Sequence, residues 1–120
     1  MSESDKNIRI LYAEDEELTR KLISRKLGAQ FTVTDVENGK AALERYNTEQ
    51  FDLLVTDLSM PVMDGFRLIE AVRAHNEDFP IIITTAYRSE CEHLQDRIKV
   101  CPKPLDLQGL ISEIRNTVSP

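Results

Sequence analysis

Short apolar runs alternate along this chain with longer stretches whose apolar residues fall at helical spacing. IRILYA (8–13), FTVTDV (31–36), DLLVT (52–56), PIIITT (80–85) and IKVC (98–101) read as five strands, separated by segments of different period. That alternation predicts an α/β domain built on a parallel sheet. Leu53-Leu54-Val55 and Ile81-Ile82-Ile83 are apolar without a break, the pattern of strands covered on both faces, so these two are expected at the centre of the sheet.

The intervening segments carry helix signals. Glu16 and Glu17 open the first, Leu18, Leu22 and Ile23 supply its apolar face, Arg25 and Lys26 close it against the helix dipole, and Gly28 is the stop. Gly39 starts a second helix through Ala42, Leu43 and Tyr46, and Phe66, Ile69 and Val72 mark a third. A short fourth is expected near Ser89 to Gln95, with Ser89 and Glu92 as a capping box. Leu107, Leu110, Ile111, Ile114 and Val118 form the cleanest i, i+3, i+4, i+7 stripe and predict the last helix. Five β-α units result, with a polar tail over 1–7, one domain over 8–118 and no linker within it.

At 120 residues the chain has the length of a single domain able to bury its own core. A net charge of −6 repels phosphate backbones and anionic lipid, which argues against direct nucleic-acid binding or a membrane surface and favours a divalent cation. Two cysteines, Cys91 and Cys101, lack metal-site spacing and suit a reducing compartment. With no signal core and no membrane-length apolar run, the expected location is cytoplasmic.

Reactive groups sit at the carboxyl ends of four strands: Glu14 and Asp15 after the first, Asp57 after the third, Thr84 and Thr85 on the fourth, and Lys103 after the fifth. In an open parallel sheet of order 2-1-3-4-5, the ligand crevice lies outside those ends, between strands one and three. Glu14, Asp15 and Asp57 then converge. Crowded carboxylates repel one another unless positive charge offsets them, and Mg²⁺, an oxygen-seeking ion that keeps several waters, suits such a set. A carboxylate beside a metal, a lysine and a hydroxyl points to phosphoryl transfer onto aspartate. Taken singly, Asp57 also suits a turn, Glu14 and Asp15 suit a helix N-terminus, and Lys103 suits the surface; the convergence separates the readings.

With these residues in place the chain resembles the receiver domains of two-component response regulators, from Ile8 to about Val118. The resemblance is carried jointly by ILYAEDE, DLSMPVMDG, ITTAY and PKP, in that order and each at a strand end. It implies a CheY-like (flavodoxin-like) three-layer α/β/α sandwich and Mg²⁺-dependent phosphorylation of Asp57 by a sensor histidine kinase or a histidine phosphotransfer protein. It further implies Asp15 and Asp57 as direct metal ligands, Glu14 acting through water, and the Ser59 backbone carbonyl as another ligand. Thr85 and Lys103 are implied as phosphoryl contacts, Ser59 and Tyr87 as residues that tune acyl-phosphate lifetime, and Lys103-Pro104 as a cis peptide. A downstream protein or output domain, unnamed by the sequence, is the remaining partner.

Two departures stand out. The family's aromatic switch residue is replaced by Val100, which leaves the Thr85–Val100 pair without a ring. The stretch from Thr85 to Lys103 is short, so the fourth helix is expected to be truncated. Two competing readings are a Mg²⁺-dependent phosphatase, disfavoured because position 59 is Ser where a second acid is wanted, and a receiver that acts without phosphorylation, disfavoured by the complete residue set. The chain is therefore expected to be a signalling switch and not an enzyme acting on other substrates.

Overall fold

The computed structural model describes residues 3–86 and 98–118. Five strands, β1 (Arg9–Ala13), β2 (Thr32–Val36), β3 (Leu53–Asp57), β4 (Ile81–Thr85) and β5 (Ile98–Pro102), form one parallel sheet in the order β2-β1-β3-β4-β5. The expected order is therefore observed. β3 and β4 are buried at every position, as their unbroken apolar runs require, whereas edge strand β2 is largely exposed or half-buried. β3 runs one residue further than expected and has Asp57 as its last residue.

Helices α1 (Glu17–Gly28), α2 (Gly39–Thr48), α3 (Gly65–His75) and α4 (Leu107–Val118) cover both faces. Strand alternation sorts the core in two. Leu11, Leu54, Ile81 and Ile83 pack with Ala42 of α2 and Leu68 and Val72 of α3; Ile10, Leu53, Val55 and Ile82 pack with Ile23 and Leu27 of α1 and Leu110, Ile111 and Ile114 of α4. The stripe predicted for α4 is the buried one. Residues Glu3–Asn7, expected as a polar tail, form a 3-10 helix in which Asp5 pairs with Arg115 at 3.0 Å and Lys6 donates to the Gly28 carbonyl at 2.7 Å.

The apolar face expected for α1 is corrected. Leu18 is 76% and Leu22 51% exposed, while Ile23 and Leu27 face the sheet. The inward stripe is Arg20, Ile23, Leu27. Arg20 holds an inward position because its guanidinium lies 3.3 Å from Asp35 and donates to the Glu14 carbonyl at 3.0 Å. Gly28 also lies inside the helix, with Ala29 as the C-cap. No described helix is long and apolar enough to cross a membrane. The short fourth helix expected near Ser89 to Gln95, with its capping box, Tyr87 and Cys91, lies outside the described residues.

Candidate functional site

The carboxyl ends of β1, β3 and β5 meet in one acidic pocket. β1 delivers Glu14, whose backbone N–H extends the ladder to the Val36 carbonyl at 3.0 Å, and Asp15 follows before α1 begins. Glu16 caps α1 by accepting from the Thr19 backbone N–H at 2.8 Å. β3 delivers Asp57 at the sheet centre. One carboxylate oxygen from each of Glu14, Asp15 and Asp57 lies within 4.8 Å of the others.

Lys103 enters from just past edge strand β5, where its backbone N–H donates to the Thr85 carbonyl at 2.8 Å and its peptide to Pro104 is cis. Its Nζ donates to Asp57 Oδ2 at 2.8 Å and to Glu14 Oε1 at 3.0 Å. Residues 46 and 89 positions apart are thus joined by one ammonium group. The remaining carboxylate oxygens are held by backbone: Leu58 N–H donates to Asp57 Oδ1 at 2.7 Å, and Glu16 N–H to Glu14 Oε2 at 3.0 Å.

Burial sets the electrostatics. Glu14 is 1% and Asp57 8% exposed, whereas Asp15 faces solvent. Burial raises the Glu14 carboxyl above its ordinary range, and hydrogen bonds from Glu16 N–H and Lys103 only partly offset it. Burial alone would lower the Lys103 ammonium, but its bonds to Asp57 and Glu14 outweigh that and raise it. Tyr12, two residues before Glu14 and fully buried, is raised well above the phenol range by burial and then by Glu14 and Asp57.

The loop after Asp57 is held clear of the pocket by backbone contacts. Gly65 N–H donates to the Leu58 carbonyl at 2.8 Å, Gly39 N–H to the Met63 carbonyl at 2.9 Å, and Val62 adopts a φ of 69°. A Cβ on Gly65 would meet the Asp57 carbonyl oxygen at 2.2 Å, so only glycine fits there. Asp64 caps α3 by accepting from Arg67 N–H at 2.9 Å.

The remaining candidates lie around this pocket at differing distances. Ser59 is exposed on the loop. Thr85 is buried at the end of β4, but the register partner of Asp57 is Thr84, so alternation puts Thr85 on the opposite face of its strand. Val100 is half-buried in β5 against the α2–α3 side of the core. The Leu58 and Glu16 amides could not be read from the sequence, since a backbone donor has no residue signature, and Arg20 could not because its type is normally a solvated surface residue. Glu14, Asp15 and Asp57 form a compact, partly solvent-facing all-oxygen set of the kind a hard divalent cation takes.

A family model described as the response regulator receiver domain matches residues 10–115. The response regulator receiver protein CpdR of Brucella abortus (strain 2308) is 36% identical over 112 residues, 88% of this chain and 92% of that protein. The DNA-binding transcriptional regulator NtrC of Escherichia coli (strain K12) is 30% identical over 111 residues, but this chain spans only 24% of its length. Among solved structures, the receiver domain of Francisella response regulator 1452 superposes with a TM-score of 0.86 at 28% identity, covering 93% of this chain and 97% of that one. TrrA of Thermotoga maritima, solved in complex with Mg²⁺ and BeF, gives 0.75 at 27% identity over 89% and 98% of the two chains.

Proposed function

Because this chain belongs to the response regulator receiver domain family, the phosphoacceptor modules of two-component signalling, we propose that Asp57 is its phosphoacceptor within a domain spanning 8–118. The observation that carries this is the single ammonium of Lys103 bridging Asp57 and Glu14, with Asp15 alongside. An Asp57 oxygen attacks phosphorus on a phosphohistidine of the partner; the oxygen–phosphorus bond forms, the nitrogen–phosphorus bond breaks, and the imidazole keeps the electron pair and takes a proton. A fixed strand end suits this in-line attack because positioning supplies much of the rate.

Asp15 and Asp57 would hold Mg²⁺ directly, with the Ser59 carbonyl, and Glu14 through water. When bound, the metal neutralises charge on the oxygens in transit. Lys103 is already within reach of the reacting carboxylate and can follow the charge onto the phosphoryl group. Thr85 contacts that group after its side chain turns toward it, and Val100, lacking a ring, changes how the shift is passed on. Ser59, exposed two residues beyond Asp57, tunes access of attacking water, as does Tyr87 by its place in the sequence. The donor is a histidine kinase or phosphotransfer protein in the cytoplasm, and modification shifts the population of two conformations that a downstream partner distinguishes.

Incubation with acetyl phosphate and Mg²⁺, followed by intact mass measurement, tests this reading. The wild type gains one phosphoryl group, while Asp57→Asn, or wild type with chelator, gains none. A wild type that stays unmodified would overturn the assignment.

A further inference from the structure

Among the described residues, the strand ends beside Asp57 carry a buried polar group that the phosphoacceptor reading leaves unused. Asp57 pairs in register with Thr84, and Thr84 with Cys101. Register partners in a parallel ladder project to the same face, so Thr84 stands beside Asp57 on the face where Glu14 and Lys103 reach the aspartate. Thr84 is fully buried, and its hydroxyl makes no hydrogen bond among the described residues. Thr56, equally buried one residue before Asp57, shows the contrast: its hydroxyl donates to the Asp57 carbonyl at 2.8 Å.

An unmade hydrogen bond at a buried hydroxyl costs folding free energy, and valine would fill the same space and suit the strand as well. The hydroxyl at 84 is therefore unfavourable in the resting fold, at a position directly beside the reactive carboxylate. Both oxygens of that carboxylate are already engaged, Oδ1 by Leu58 N–H at 2.7 Å and Oδ2 by Lys103 at 2.8 Å. Joining one of them to phosphorus moves negative charge outward onto the phosphoryl oxygens, and the mobile ammonium follows it. The side chain then loses a donor on the face that Thr84 shares.

The geometry points to Thr84 as a second hydroxyl of the pocket, a positioning residue that donates to the modified Asp57 side chain once Lys103 has moved to the phosphoryl group. This rests on Asp57 being the phosphoacceptor. The hydroxyl is idle at rest and engaged only in the phosphorylated state, so it favours that state selectively. Its contribution belongs to acyl-phosphate stability and not to metal binding.

Calorimetric titration separates these cases, with Mg²⁺ alone as one probe and beryllofluoride at saturating Mg²⁺ as the phosphoryl mimic. Thr84→Val should bind Mg²⁺ like wild type, unfold at the same or higher denaturant, and bind beryllofluoride about three- to tenfold more weakly, the range of one hydrogen bond. Thr84→Ser should recover the affinity. Equal beryllofluoride affinity in wild type and Thr84→Val overturns the inference, as does a Thr84→Val protein that loses Mg²⁺ and beryllofluoride together or unfolds more readily, since Thr84 would then be structural. A wild type that binds Mg²⁺ but no beryllofluoride defeats the phosphoacceptor reading itself, and this inference with it.

Discussion

Glu14 is buried at 1% exposure with its carboxyl raised above the ordinary 4.5, so the folded protein binds a proton there more readily than the unfolded chain does. Its ionised form therefore weighs against folding above its folded value, and that penalty is lifted as the pH falls toward 4.5. Glu14→Gln should accordingly make the metal-free protein more stable at neutral pH and flatten this part of its pH dependence. The same change should weaken Mg²⁺ binding by about 10- to 100-fold, as loss of an outer-shell partner typically does. Denaturant titrations across pH, paired with Mg²⁺ calorimetry, check both; a variant less stable at neutral pH would contradict the burial argument. The carboxylates and Lys103 were legible in the sequence because a charge ending an apolar strand is costly unless something uses it. Arg20 was not, because arginine is normally exposed, and Thr84, though seen at a strand end, could not be told from an ordinary strand threonine.

Elements were legible wherever the apolar period was long or unbroken, as in β3, β4 and α4. α1 was misjudged at Leu18 and Leu22 because a count of apolar residues cannot see that Arg20 turns inward to Asp35 and the Glu14 carbonyl. Leu18→Ser and Leu22→Ser should each change unfolding free energy by no more than about 0.5 kcal/mol. Leu27→Ala, at a fully buried position, should cost about 2–5 kcal/mol. Denaturant unfolding of the three variants decides which stripe of α1 carries the packing. The glycines separate by the same logic. Gly65→Ala drives a Cβ to 2.2 Å from the Asp57 carbonyl oxygen and 2.8 Å from Leu58 Cα, backbone atoms that yield little, and should cost about 3 kcal/mol or more. Gly28→Ala meets nothing within 4 Å inside a helix and should stabilise by about 0.5–1 kcal/mol. Thermal melts of this pair should move in opposite directions.

At the scale of the molecule, the pocket joins β1, β3 and the end of β5, and a cation bound there ties together segments far apart along the chain. Mg²⁺ at about 100 times its Kd should raise unfolding free energy by about 2.7 kcal/mol. Asp15→Ala should lose most of that gain while keeping the metal-free stability, because Asp15 is exposed. A melting temperature indifferent to Mg²⁺ in the wild type would show that the carboxylates do not act as a metal site. The sheet order was readable from the alternation of strand and helix signals together with the site it had to build. The pairing of Asp57 with Thr84 was not, since register depends on how neighbouring strands settle against each other and not on either sequence alone.

Asp15, Glu16 and Glu17 are exposed where β1 gives way to α1, next to the buried Glu14, on a chain that already carries a net charge of −6. Any dianionic donor approaching Asp57 meets a repulsive field, and that field collapses only when counter-ions screen it or a divalent ion occupies the carboxylates. The doorway thus works as an electrostatic turnstile: a divalent ion among the carboxylates, or salt in the surrounding solution, lowers the barrier that a phosphate has to cross.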